Sequence, residues 1–212
     1  MRVKCAGASG PNVRLCERTP MADCCILAMH YVCTHDKARE LVGRHSRFWV
    51  SNCGCRESRK HCARSRMDVC LMFIGDEFAS GSGKREITLA DVESILHEAE
   101  TKNLVARPFR NDAKTETDGI CFCCNDCCGY FLNAAEKCDK GELIARTDFD
   151  TCTHCGICEE ACYFKARTMR DDQLTVDADR CYGCGLCVSS CPEECIEMTP
   201  RHNPPTEPST YR

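Results

Sequence analysis

The chain has 212 residues, 24 of them cysteine, and a net charge of −4. That cysteine load fits a disulfide scaffold or a metal protein. A chain this long, opening without an apolar leader, points to thiolates held by metal in a reducing, cytoplasmic compartment. No apolar run approaches the roughly 18 residues of a membrane span, so no membrane insertion is expected. The charge is unevenly placed. Residues 1–110 carry 18 Lys and Arg against 13 Asp and Glu, and residues 111–212 carry 10 against 19. A basic half joined to an acidic half suggests two units with different partners. The basic residues crowd between Arg44 and Arg66, interleaved with cysteines and without a recognition motif. They read as a solvated face, and no nucleic-acid partner is expected.

Residues 1–35 read as an N-terminal extension whose Cys5, Cys16, Cys24, Cys25 and Cys33 follow no ligand spacing. A helix is predicted over 36–44, with Thr34 as its cap. Residues 48–50 read as a strand that delivers Cys53 and Cys55 at its end. The apolar stretch 67–79 reads as a helix carrying Cys70, and GSGKR (81–85) as a loop. Thr88 and Asp91 form a capping box. Leu89, Val92, Ile95, Leu96 and Ala99 then make one helical face. A strand is predicted over 104–109 and a polar loop over 111–119. The run ICFCCNDCCGYF (120–131) leads into a short helix over 130–137.

Residues 152–162 read CTHCGICEEAC and residues 181–191 read CYGCGLCVSSC. Both are C-x2-C-x2-C-x3-C, 29 positions apart. Asp150 matches Asp179 and Met169 matches Met198, so the repeat extends outward. A hairpin is predicted between the cysteine loops, its arms at 168–169 and 174–176. Segments 156–162 and 185–191 read as short helices. The tail 202–212, with its three prolines, reads as disordered.

The spacing has a physical reason. Three cysteines at two-residue gaps on a tight loop reach three corners of an iron–sulfur cube, and the fourth faces away to close the partner cluster. Gly156 and Gly185 let the loop backbone approach the sulfides. A zinc ribbon uses paired C-x2-C knuckles, and two four-cysteine runs exceed what it needs. Residues 148–198 resemble the two-cluster bacterial ferredoxin domain. The resemblance implies one [4Fe–4S] cluster on Cys152, Cys155, Cys158 and Cys191. It implies a second on Cys181, Cys184, Cys187 and Cys162. Pro192 follows the family pattern, and Tyr163 stands where its other proline would be. Cys195 corresponds in the repeat to Ala166, so it is expected as a small buried residue rather than a ligand.

Two further cysteine sets remain. One is Cys53, Cys55, Cys62 and Cys70; the other is Cys121, Cys123, Cys124, Cys127 and Cys128. The order Cys53-Gly54-Cys55-Arg56, Cys62, Cys70-Leu71, Leu104-Val105 and Cys121–Cys128 resembles a family of prokaryotic 4Fe-4S binding proteins. There a Cys-rich N-terminal domain precedes a two-cluster ferredoxin. The resemblance implies redox chemistry and no narrower activity; Asp126 departs from it, standing where another cysteine is expected. Four thiolates suffice for one [4Fe–4S] cluster or one zinc ion, and context favours the cluster. Adjacent cysteines such as Cys123 and Cys124 diverge in an extended chain. The dense run is therefore expected to split its thiolates between two centres, one shared with the first set. The triplet Cys127-Cys128-Gly129 is similar to the cysteine-rich motif of heterodisulfide reductases, but the downstream pair that motif needs is already used by the repeat.

The expected fold class is α+β. A small Cys-rich α/β domain spans 36–147, a ferredoxin-type domain with a pseudo-two-fold repeat spans 148–198, and a tail spans 199–212. The expected cofactors are two [4Fe–4S] clusters in the second domain and one or two further [4Fe–4S] or zinc centres in the first. No nucleotide fingerprint, Ser/His/Asp order or H-E-x-x-H motif is present. The reading is an electron-transfer protein, or an electron-relaying subunit of anaerobic metabolism, that works with a redox partner protein. The alternatives are an oxidoreductase with a substrate-active N-terminal metal centre, and a redox or metal sensor.

Overall fold

The computed structural model describes residues 27–75, 80–133 and 136–201. The readings for Cys5, Cys16, Cys24, Cys25 and the tail from residue 202 lie outside the described residues. The elements run β1 (His30–Tyr31), α1 (His35–Val42), β2 (Phe48–Ser51), α2 (Gly54–Arg59), β3 (Cys70–Met72) and β4 (Arg85–Ile87). Then come α3 (Leu89–Thr101), β5 (Val105–Arg110), β6 (Thr117–Cys123), α4 (Gly129–Asn133) and β7 (Cys138–Asp139). The C-terminal part adds β8 (Leu143–Thr147), α5 (Ile157–Glu160), β9 (Arg167–Arg170), β10 (Gln173–Val176), α6 (Leu186–Ser189) and β11 (Ile196–Pro200).

Strands β1 to β7 form one sheet in the order β4-β2-β3-β6-β5-β1-β7. All its neighbours are antiparallel except β1 and β7. Helix α1 opens at Thr34, whose side chain accepts from the Lys37 N–H. Helix α3 opens with the reciprocal bonds of Thr88 and Asp91. Each cap satisfies N–H groups that the helix leaves without internal partners. Ala38, Leu41 and Val42 of α1 and Val92, Ile95, Leu96 and Ala99 of α3 share one core with Val50, Leu71, Ile120 and Phe122 of the sheet. Leu89 differs from expectation: it is 57% exposed. It is the first residue of α3, and the packed stripe starts one turn later at Val92. Arg39 joins the two helices, donating to Glu93 Oε2 at 2.6 Å and to Glu100 Oε1 at 2.8 Å.

Cys70 lies on a strand, not on the helix expected over 67–79. Strand β3 sits between β2 and β6 and is buried along its length. A strand covered on both faces is continuously apolar, and without period-2 alternation its pattern does not separate it from a buried helix. Alternation does operate on the neighbouring strands. Ile120 and Phe122 face the helices, while Cys121 lies with Cys70, Met72 and Phe109 in a second apolar cluster. Arg107 stands directly across from Cys121, and Val105 across from Cys123.

In the C-terminal part, β8 pairs with β11 from Leu143↔Pro200 to Thr147↔Ile196. This draws residues 143–147 into the ferredoxin-type unit, upstream of residue 148. The hairpin β9–β10 turns through Asp171 and Asp172, both at positive φ. Ala161, Tyr163 and Leu186 belong to the same core as the seven-stranded sheet, so apolar packing runs across the expected domain boundary. Among the described residues no helix is long and apolar enough to cross a membrane.

Candidate metal centres

The repeated cysteine loops build two cavities. One is lined by Cys152, Cys155, Cys158 and Cys191, with Cys195 beside them. The other is lined by Cys162, Cys181, Cys184 and Cys187. Each loop turns at a glycine, Gly156 or Gly185, with φ of +80°. That left-handed conformation comes without cost only to glycine. It starts the one-turn helices α5 and α6, which carry Cys158 and Cys187 at their cavities. The tight turn is thus a requirement of its own, whatever the backbone approaches.

Arg167 lies between the cavities and is 2% exposed. Its Nη1 donates to Thr147 Oγ1 at 2.8 Å and reaches Cys158 Sγ at 3.9 Å, and its charge also faces Cys187. Burial works against the guanidinium charge, yet the sulfurs of Cys187 and Cys158 hold its pKa above the usual value. Its Nη2 has no hydrogen-bond partner among the described residues. Cys195 is buried, as expected for its place in the repeat. Its Sγ lies 3.5 Å from Cys191 Sγ and also contacts Cys152. Burial, with the Cys191 and Cys152 sulfurs beside it, pushes its thiol up to about 12.

Residues 145–198 match the family model of the 4Fe-4S dicluster domain. The chain carries an iron–sulfur domain. No curated protein matches the chain. The site residues fit the cofactor. Thiolates are the ligands [4Fe–4S] clusters take, and the unpartnered Arg167 donor sits where sulfur acceptors would satisfy it.

The nine cysteines of the two sequence sets fall into three groups that cut across those sets. Cys62, Cys124 and Cys127 converge, their sulfurs all within 4.8 Å of one another. Cys53 contacts Cys55, Cys55 contacts Cys128, and Cys128 contacts Cys123. Cys70 Sγ lies 3.9 Å from Cys121 Sγ. The set Cys53, Cys55, Cys62 and Cys70 is therefore not gathered at one point. Cys53 precedes α2 as its cap residue, which brings Cys55 up to α4, where the Gly129 N–H donates to Cys55 Sγ at 3.4 Å. Cys123 ends β6 and Cys124 begins the turn, so these neighbours join different groups. Asp126 Oδ2 accepts the Ala63 N–H at 2.9 Å, which pins the Cys62 loop to the Cys124–Cys127 turn.

Two more buried arginines serve these groups. Arg107, 2% exposed, donates from Nη1 to Cys123 Sγ at 3.6 Å and to Cys128 Sγ at 3.5 Å. Its guanidinium also lies over the Tyr130 ring, 4.1 Å from the centroid, and Cys138 faces it too. Contact with Cys128 is the first cause that draws the Cys55 thiol down to about 2 and the Cys123 thiol down to about 6. Arg56, fully buried, donates to Ser65 Oγ at 3.0 Å, Arg66 O at 2.6 Å and Phe122 O at 2.9 Å, and its charge faces Cys127, Cys53 and Cys62. Among the described residues no ion pair joins Arg56 or Arg167 to a carboxylate. A buried cation needs an anionic neighbour, and here thiolates are the groups within reach. Sequence reasoning missed this role of Arg107 and Arg167. For Arg107 the signal was period 2: two residues before Phe109 on β5, it shares the cysteine face.

Proposed function

We propose that the protein transfers single electrons through [4Fe–4S] clusters, as a carrier or as the electron-relaying subunit of an anaerobic, cytoplasmic redox system rather than as a free-standing enzyme. One cluster sits on Cys152, Cys155, Cys158 and Cys191, and a second on Cys181, Cys184, Cys187 and Cys162. The N-terminal Cys-rich domain holds one or two further centres. The observation that carries this reading is the dicluster match over residues 145–198, with the eight repeat cysteines lining two cavities.

Exposure supports a direction. Cys155 is exposed, and so are Phe149 and Ile157 near it. Cys184 instead packs with Tyr163 against the core of the sheet. Electrons therefore exchange with a partner at the first cluster and pass inward to the second. Asp148, Asp150, Glu160, Glu193 and Glu194 are exposed in the loops that build the first cavity, and they select a partner with a basic patch.

Iron and sulfide counting with an EPR-monitored redox titration, both on anaerobically isolated protein, tests the proposal. At least about eight iron and eight sulfide per chain are expected, with one-electron titrations. Cys155→Ala should remove one of the dicluster signals. Fewer than about eight iron per fully loaded chain would sink the proposal.

A further inference from the structure

The Cys62, Cys124 and Cys127 sulfurs come together more tightly than any other three metal-ligating groups among the described residues. Cys62 Sγ is 3.7 Å from Cys124 Sγ, and Cys124 Sγ is 3.4 Å from Cys127 Sγ. Spacing separates the two kinds of metal centre. A tetrahedral ion with metal–sulfur bonds of about 2.3 Å holds its sulfurs about 3.8 Å apart. The cysteine sulfurs of a four-iron cube stand roughly 6 Å apart, because each lies outside its own iron. No trio within either dicluster set, or within Cys53, Cys55, Cys123 and Cys128, closes to 4.8 Å.

From this geometry we infer that Cys62, Cys124 and Cys127 bind a single thiophilic divalent ion of the zinc class, whose fourth position is left for a small exchangeable ligand such as water. The inference refines the N-terminal part of the proposed function and does not depend on the dicluster domain. Three thiolates and a divalent ion carry one net negative charge, and the buried Arg56 guanidinium facing Cys62 and Cys127 balances it. The surroundings are built to hold the three sulfurs in place. Arg56 ties the loop after Cys62 to the end of β6 through Ser65, Arg66 and Phe122. Asp126, through the Ala63 N–H, keeps that loop on the turn. Asp126 is a positioning residue here: its carboxylate is not among the groups that converge within 4.8 Å, and it holds the Ala63 N–H.

Zinc, iron and sulfide should be measured together on the full chain produced anaerobically in medium containing both metals. About one zinc per chain is expected beside the cluster iron, with X-ray absorption at the zinc edge giving about three sulfurs and one lighter atom. Cys62→Ala and Cys124→Ala should each lose the zinc and leave the iron count unchanged. The absorption measurement needs no variant, so a variant that fails to fold leaves the test intact. Three results would overturn the inference. One is a chain without zinc. Another is a drop of about four iron in Cys124→Ala, which would place the trio in a cluster. The last is a four-sulfur zinc shell that disappears in Cys55→Ala. Failure of the dicluster reading is separate, since it shows as iron below about eight in the unaltered chain.

Discussion

Arg167 is the residue on which the two halves of the dicluster domain meet. It touches Cys158 of one cavity and faces Cys187 of the other, with no carboxylate partner among the described residues. A fixed positive charge beside a cluster stabilises the reduced, more negative state, so it raises the potential. Replacing it in Arg167→Met removes the charge and the N–H donors while keeping most of the volume. Both cluster potentials should fall by on the order of 50 mV, with iron content unchanged. Arg167→Lys should recover part of the shift, because it restores charge without the planar fork. Unchanged potentials in a fully loaded Arg167→Met protein would show that the guanidinium is not coupled to the clusters. The same logic explains why cysteine spacing alone was an incomplete guide to the other half. Spacing grouped Cys62 and Cys70 with Cys53 and Cys55 because they follow one another in the chain. The fold instead brings β6 and its turn between them, and position along β6 splits the run: Cys121 meets Cys70 and Cys123 meets Cys128. Cys121 and Cys123 share a face, and Cys124 leaves it.

Elements with local signals were legible before any contact was known. The caps of α1 and α3, the buried stripe from Val92 to Ala99, the strands β2 and β5, and the hairpin β9–β10 all follow from residues within one or two turns of each other. Strand β3 was not legible, since its apolar run records burial on both faces and not its backbone conformation. The Thr88 cap offers a clean test of how far local structure matters to the metal sites. Its side chain accepts the Asp91 N–H, and Asp91 Oδ2 accepts the Thr88 N–H at 2.9 Å, both at the exposed end of α3. Thr88→Ala should cost about 1 kcal/mol of stability. Metal content and spectra should not change, because the Glu98 side chain that accepts from Ser65 lies at the far end of the helix. Stability can be read as the denaturant midpoint and metal by elemental analysis. A loss of zinc or iron in Thr88→Ala would mean that α3 governs the Cys62 loop more strongly than the contacts of Glu98 with Ser65 and Arg66 imply.

At the scale of the whole molecule, the dicluster domain is not a bead on a string. Phe131 of α4 meets Tyr163 at 5.7 Å and Phe164 at 5.2 Å between ring centroids, both edge to face. Phe164 in turn stacks on Tyr182 at 4.4 Å. Tyr163 is the residue that stands in for the family proline, and its ring joins the core under the seven-stranded sheet. Each tilted aromatic pair adds about 0.5–1.5 kcal/mol beyond the area it buries. Phe131→Ala removes two of these contacts and leaves a gap between the halves. Because Phe131 is only partly buried, the loss should be about 3 kcal/mol, near the low end for aromatic truncations in a core. For a chain of this length that lowers the apparent thermal midpoint by roughly 6–12 °C at a fixed scan rate. The dicluster unit keeps its own strands and cysteine loops, so its visible absorption should survive to a higher temperature than the far-ultraviolet signal of the sheet. The intact protein should instead lose both signals together. Coincident loss of the two signals in Phe131→Ala, at an unshifted midpoint, would show that the aromatic contact carries no coupling between the halves.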